Sequence, residues 1–257
     1  MKKAEIWELL EEKSSTYNQL AFIEFDPISI PHLFTQKADI EIAGFLAASI
    51  SWGQRPVILK NALQLMQMMD HAPYQFITDF KDKDLLPFRK FTHRTFNGID
   101  CTCFLKAIKH IYTAYSSLEN AFFDDLNVAN QGLDTKIWNF RKQFFSIPHQ
   151  IRTEKHLSDP FRNSACKRMN MFLRWMVRKD KKGVDFGIWD KIHPSELMLP
   201  LDVHSGRVAR SLGLLRRKQD DWKAVLEVTA KLRQFDPQDP VKYDYALFGM
   251  GVFEKIK

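Results

Sequence analysis

Cysteine and glycine are scarce in this chain, and no long apolar run separates its charges. Three cysteines, Cys101, Cys103 and Cys166, cannot build a disulfide framework or supply four thiolates to a zinc or iron–sulfur centre. The histidines show no ligand spacing, so neither metal nor cofactor is expected. No stretch approaches the roughly 20 apolar residues that would cross a bilayer. The start, "MKKAEIWELLEEK", turns acidic and amphipathic where a signal peptide needs an uninterrupted apolar region. A cytoplasmic protein without a membrane partner is the expectation, and a monomer.

Ten glycines in 257 residues, few alternating β-branched runs and repeated i, i+3, i+4 apolar spacing point to an all-α fold. With 45% hydrophobic and 13% aromatic residues the core material suffices for one large helical domain or two small lobes. Periodicity predicts helices at 4–19, 38–51, 55–71, 74–79, 103–115, 118–125, 133–145, 165–178, 205–212, 222–233 and 240–251. Pro27 and Pro31 in "FDPISIPHLF" predict an extended crossing. A second break falls at "SIPHQIRTEKHLSDPFRNSA". The predicted division is residues 1–30, packing on a C-terminal lobe, then 31–150 as a helical lobe and 151–257 as the C-terminal lobe. Trp52, Trp175, Trp189 and Trp222 read as core at their helical spacing.

The formal charge of +7 is local. Residues 151–183 hold ten Lys/Arg against three Asp/Glu, which leaves 28 of each sign elsewhere. Such a patch suits a polyanionic partner. In "NSACKRMNMFLRWMVRKDKK", Met169, Phe172, Leu173, Met176 and Val177 form one helical stripe, and Lys167, Arg174 and Arg178 fall opposite. That second face reads either as solvated surface or as one that meets an anion. With Ser164 or Asn163 as cap, Lys167 sits in the first turn, beside Arg168. The positive end of the helix dipole there favours a neutral, nucleophilic amine, and the free N–H groups of a helix start can hold a phosphate.

Asp202 follows 35 residues later in "LPLDVHSGRVARSLGLL". By itself it reads as the N-cap of a helix. The string Leu201-Asp202-Val203-His204, followed by Arg207, Val208, Arg210, Leu212 and Gly213, resembles the proline-valine-aspartate-x-histidine segment of helix-hairpin-helix DNA glycosylases. In that superfamily the nucleophilic lysine lies one helix upstream, as Lys167 does. The longer separation here, through "KDKKGVDFGIWDKIHPSEL", is similar to that of archaeal 8-oxoguanine glycosylases. "EIAGFLAASISWGQ" resembles the early helix of these enzymes, which puts Gln54 at the lesion or its gap. "YDYALFGMGV" resembles their closing helix, which makes Phe248 the residue stacking on an extruded base. The combination of "CKRMNMFLRWMVR", "PLDVH" and "DPVKYDYALFGMG" also looks like an uncharacterised bacterial family described only as a domain of unknown function.

The resemblance implies a two-lobed fold with a cleft between the lobes and base excision from duplex DNA containing a damaged base. Lys167 would attack the sugar C1′, with accompanying AP-lyase chemistry, and Asp202 would stabilise the cationic sugar or relay protons. His204 and Arg207 would hold phosphates, and Asn163 and Arg168, flanking Lys167, would complete the DNA-binding set. The chain departs from the pattern in three places. "DPFRNSAC" replaces the glycine-rich hairpin, Asp244 stands where a glutamine reads the base, and the iron–sulfur cysteines of the endonuclease III branch are absent. The alternative is a DNA- or RNA-binding protein that keeps this scaffold without catalysis. A helical protein-interaction domain with an acidic partner is the third reading.

Overall fold

The computed structural model describes residues 1–123 and 131–254. Among them the chain is mostly helical, with eleven α-helices, short 3₁₀ turns and one two-stranded ribbon. It divides into two compact units. One is Phe25–Ser158, and the other joins Met1–Glu24 to Asp159–Lys257. No described helix is long and apolar enough to cross a membrane.

The Phe25–Ser158 unit holds α2 (Lys37–Ser49), α3 (Arg55–Met68), α4 (Pro73–Asp79), α5 (Gly98–Tyr115), α6 (Leu118–Phe123) and α7 (Leu133–Phe144). Of the helix predicted over 118–125, the last two residues lie outside the described residues. β1 (Thr92–His93) and β2 (Phe96–Asn97) pair antiparallel, with Thr92 opposite Asn97. Strands this short leave no period to detect, so the ribbon had no sequence signature. In α2 every residue from Ile40 to Ser49 is buried, as befits a helix that is apolar nearly all round and lies at the centre of a core. Its buried Glu41 accepts hydrogen bonds from the Tyr112 hydroxyl at 2.8 Å and the Leu118 N–H at 3.1 Å, which offsets the desolvation of the carboxylate. Phenylalanines complete this core. The Phe104 ring meets Phe144 edge-on at 4.9 Å, and Phe122 stacks on Phe140 at 3.8 Å.

The other unit holds α1 (Lys3–Tyr17), α8 (Lys167–Val177), α9 (Val203–Ser211), α10 (Trp222–Leu232) and α11 (Tyr243–Val252). Two glycines of α11 set its packing. A Cβ on Gly249 would lie 2.1 Å from Cδ2 of Tyr17, so only glycine lets α1 approach there. A Cβ on Gly251 would lie 2.9 Å from the His204 carbonyl oxygen, so α9 also rests directly on α11. The sequence "FGMG" thus presses two helices onto one.

α8 is buried along most of its length. Met169, Phe172, Leu173, Met176 and Val177 are buried, but so are Arg174 and Arg178 on the opposite side. For Arg174 and Arg178 the expectation of a face that is solvated or meets an external anion is corrected, because their anions belong to the chain itself. Arg174 bonds Asp244 and also Asp185 at 3.3 Å. Arg178 reaches Asp180 at 2.6 Å, Asp185 at 3.1 Å and Asp239 at 2.9 Å. The Tyr245 ring lies under the Arg174 guanidinium, 4.3 Å from its centroid. Asp180 and Asp185 arrive on the segment that lengthens the lysine-to-aspartate spacing. The same segment satisfies the end of α8, since the N–H groups of Phe186 and Ile188 each donate at 2.8 Å to the carbonyls of Trp175 and Met176.

Candidate active site

The residues ahead of α8 form a tight turn without glycine. Asp159 caps a 3₁₀ turn over Pro160–Arg162, its carboxylate accepting from the Phe161 N–H at 2.9 Å. Asn163 then takes a left-handed conformation with φ 59°, and Cys166 does so again with φ 49°. Asparagine enters this region readily, whereas a cysteine there costs on the order of 1–3 kcal/mol and needs its surroundings to hold it. Cys166 is buried, and Ser164 bridges to Asp221, so the turn is held from both sides. This turn corrects the predicted cap: Cys166, rather than Ser164 or Asn163, precedes the first turn, and Lys167 is the first helical residue.

Asp202 precedes α9 and divides its two carboxylate oxygens between two tasks. Oδ1 accepts the His204 N–H at 2.9 Å and the Ser205 N–H at 3.0 Å, while Ser205 Oγ accepts the Asp202 N–H at 2.9 Å. This reciprocal cap fixes the carboxylate at the helix start. Oδ2 is left facing Lys167, whose Nζ lies 3.8 Å away. The Lys167 side chain is 29% exposed and that of Asp202 21%, so the pair is open to an incoming group.

Asp244, on α11, lies behind this pair and is buried. Burial pushes its carboxyl up to about 6, against the pull of the Arg174 guanidinium, with the Asp202 charge raising it further and the Lys167 charge lowering it. Two buried arginines face four aspartates in this network, and burial of the Asp244 carboxyl is the main reason it holds its proton more tightly than usual. Sequence patterning missed the network, whose aspartates lie in the segment after α8 and before and within α11.

The other predicted residues fall as follows. Phe248 lies one turn beyond Asp244 and meets the His204 ring edge-on at 6.5 Å and Phe22 at 6.2 Å. His204 is exposed at the start of α9. Arg207 donates from Nη2 to the Gly251 carbonyl at 2.9 Å, which fastens α9 to α11. Arg168 is half-buried, and desolvation draws its guanidinium down to about 10. Asn163 is exposed, donating from Nδ2 to Asp221 at 2.9 Å and accepting the Trp222 N–H at 3.3 Å. These residues share one unit. Gln54 belongs to the other, where it is exposed just before α3. Trp175, Trp189 and Trp222 are buried, as core residues should be, and Trp52 is half-buried against His93.

Together the geometry supplies an amine, a fixed carboxylate, an exposed imidazole and an aromatic ring along the contact of α8, α9 and α11. No curated protein and no solved structure matches the chain. Residues 26–253 match one family over most of the length, and the chain therefore belongs to the family described as protein of unknown function (DUF2400).

Proposed function

We propose that this chain is a DNA glycosylase with AP-lyase activity, built on a helix-hairpin-helix glycosylase scaffold and acting as a monomer on duplex DNA that carries a damaged purine. The observation that supports it is the 3.8 Å approach of Lys167 Nζ to Asp202 Oδ2, between groups that are 35 residues apart in sequence. A carboxylate needed only as a cap would use one oxygen. Here the second oxygen faces an amine that is partly open to solvent.

In this reading the damaged nucleotide leaves the stack at a cost of a few kcal/mol, offset by phosphate contacts and stacking. The neutral Lys167 amine attacks C1′ as the glycosidic bond breaks, the base leaving with the bonding electrons and taking up the proton that the newly bonded nitrogen releases, so that Asp202 stays ionised. Asp202 stabilises the positive charge that develops on the sugar. Opening of the sugar ring gives a Schiff base, and loss of a C2′ proton expels the 3′-phosphate. Phe248 stacks on the extruded base, and His204 and Arg168 hold phosphate oxygens. Arg207 contributes by holding α9 on α11. The left-handed turns at Asn163 and Cys166 replace the missing hairpin glycines in giving the backbone its sharp bend.

Borohydride reduces a Schiff base to a stable amine, so wild-type chain incubated with a panel of damaged-purine duplexes should yield a covalent adduct, and Lys167→Gln should yield none. An adduct that persists in the variant places the nucleophile elsewhere. Absence of base release across the panel, with salt-sensitive duplex binding retained, makes the chain a binder without catalysis.

A further inference from the structure

The loop between α9 and α10 reads "LLRRKQDDWK" from Leu214 to Lys223 and surrounds an open hollow of about 530 Å³. Its wall consists of Arg216, Arg217, Lys218, Gln219, Lys223 and Glu227. We propose that this loop is a second DNA-contacting surface, in which Arg216, Lys218 and Lys223 meet the phosphates of duplex DNA flanking the excised nucleotide. The proposal rests on the reading of Lys167 and Asp202 as groups that act on DNA.

Three observations carry it. First, the acids of the loop are occupied in fixing the loop itself. Arg217 pairs with Asp221 through bonds of 2.6 and 2.5 Å, which hold that carboxyl well below its usual range. Arg210 of α9 reaches Asp220 at 2.6 Å and the Arg217 carbonyl at 2.8 Å, and Glu227 accepts the Arg216 N–H at 2.6 Å. The side chains of Arg216, Lys218 and Lys223 are exposed, and none is ion-paired among the described residues. These cations share the wall with a single carboxylate, Glu227, so the hollow keeps an excess of positive charge.

Second, Lys223 extends from the exposed first turn of α10, whose cap carboxylate, Asp221, is taken up by the Ala224 N–H and by Arg217. Third, the frame is tied to both elements that carry the reactive pair. Asp221 accepts from Asn163 in the turn before Lys167, and Arg210 lies on the helix that Asp202 caps. A cation held on this frame keeps a fixed relation to Lys167 and Asp202.

Phosphates suit the hollow better than an acidic protein does. Protein interfaces are anchored by apolar and aromatic side chains, and every residue of this wall is polar or charged. A nucleic-acid backbone asks only for cations and hydrogen-bond donors.

The test is equilibrium binding of an undamaged short duplex, followed by fluorescence anisotropy at several salt concentrations, for wild type and for the triple variant R216Q/K218Q/K223Q. Each phosphate that the protein ceases to neutralise should reduce the slope of log K against log salt by about 0.9, so the triple variant should be shallower by about 2–3. Circular dichroism should show the same fold, because the substituted side chains are exposed. An unchanged slope overturns the proposal, as does tighter binding of single-stranded RNA than of duplex with the same sensitivity to the variant. The assay needs no base release. A shallower slope in a chain that never excises a base keeps this surface and refutes the glycosylase reading. Excision with an unchanged slope does the reverse.

Discussion

Replacing Asp202 in two ways separates its structural task from the chemical one proposed for it. In Asp202→Asn the amide oxygen can still accept from the N–H groups of His204 and Ser205, now bonded at 2.9 and 3.0 Å, so the cap of α9 survives in neutral form. What is lost is the charge beside a helix N-terminus, about 0.3–1 kcal/mol, and a part-exposed ion pair with Lys167, about 0–1 kcal/mol. In Asp202→Ala both acceptor bonds go as well, which adds about 1 kcal/mol for the cap. Ser205 Oγ, buried with its residue, then keeps only its bond from the Asp202 N–H and its weaker contact with the Asp202 carbonyl. The asparagine variant should therefore be destabilised by about 1 kcal/mol and the alanine variant by about 2 kcal/mol in urea titration. Both should lose the borohydride adduct. If the two variants are equally destabilised, Oδ1 does not carry the cap. If Asp202→Asn traps DNA like wild type, the carboxylate is not part of the chemistry.

Helices were legible in the sequence because the apolar spacing of α3, α7 and α10 follows the 3.6-residue period, and because Asp202 and Asp221 are ordinary N-caps. Their boundaries shifted where turns took over. Pro240–Lys242 forms a 3₁₀ turn before α11, and Cys103 lies inside an α5 that starts at Gly98, once Asn97 caps it and Asp100 bonds back. The candidate site was legible as two residues and no further. Lys167 and Asp202 carry a pattern in the chain, but their 3.8 Å separation depends on α8, α9 and α11 packing together, which no local period encodes. The arginine network was illegible for a different reason. A polar face on a helix ordinarily means solvent, and only tertiary contact reveals that Arg174 and Arg178 meet aspartates drawn from three separate segments. Buried ion pairs of this kind override amphipathic patterning.

Two further outcomes test the frame behind the site. Gly249→Ala should destabilise the chain by about 1–3 kcal/mol through overpacking against Tyr17, and Tyr17→Ala should relieve much of that strain in a double-mutant cycle of urea unfolding. Additive effects would show that α1 does not rest on that glycine. The second outcome concerns pH. Asp244 holds its proton up to about 6 in the folded chain, above the ordinary aspartate value of 3.8, so the folded state binds that proton more tightly than the unfolded state does. The stability this contributes is fully present below the unfolded value and is lost as pH rises through about 6. The shift of roughly two units corresponds to a loss on the order of 2–3 kcal/mol. Asp244→Asn cannot release a proton, so its stability relative to wild type should rise between about pH 4 and pH 7. Parallel pH profiles for the two proteins would mean that Asp244 ionises normally despite its burial.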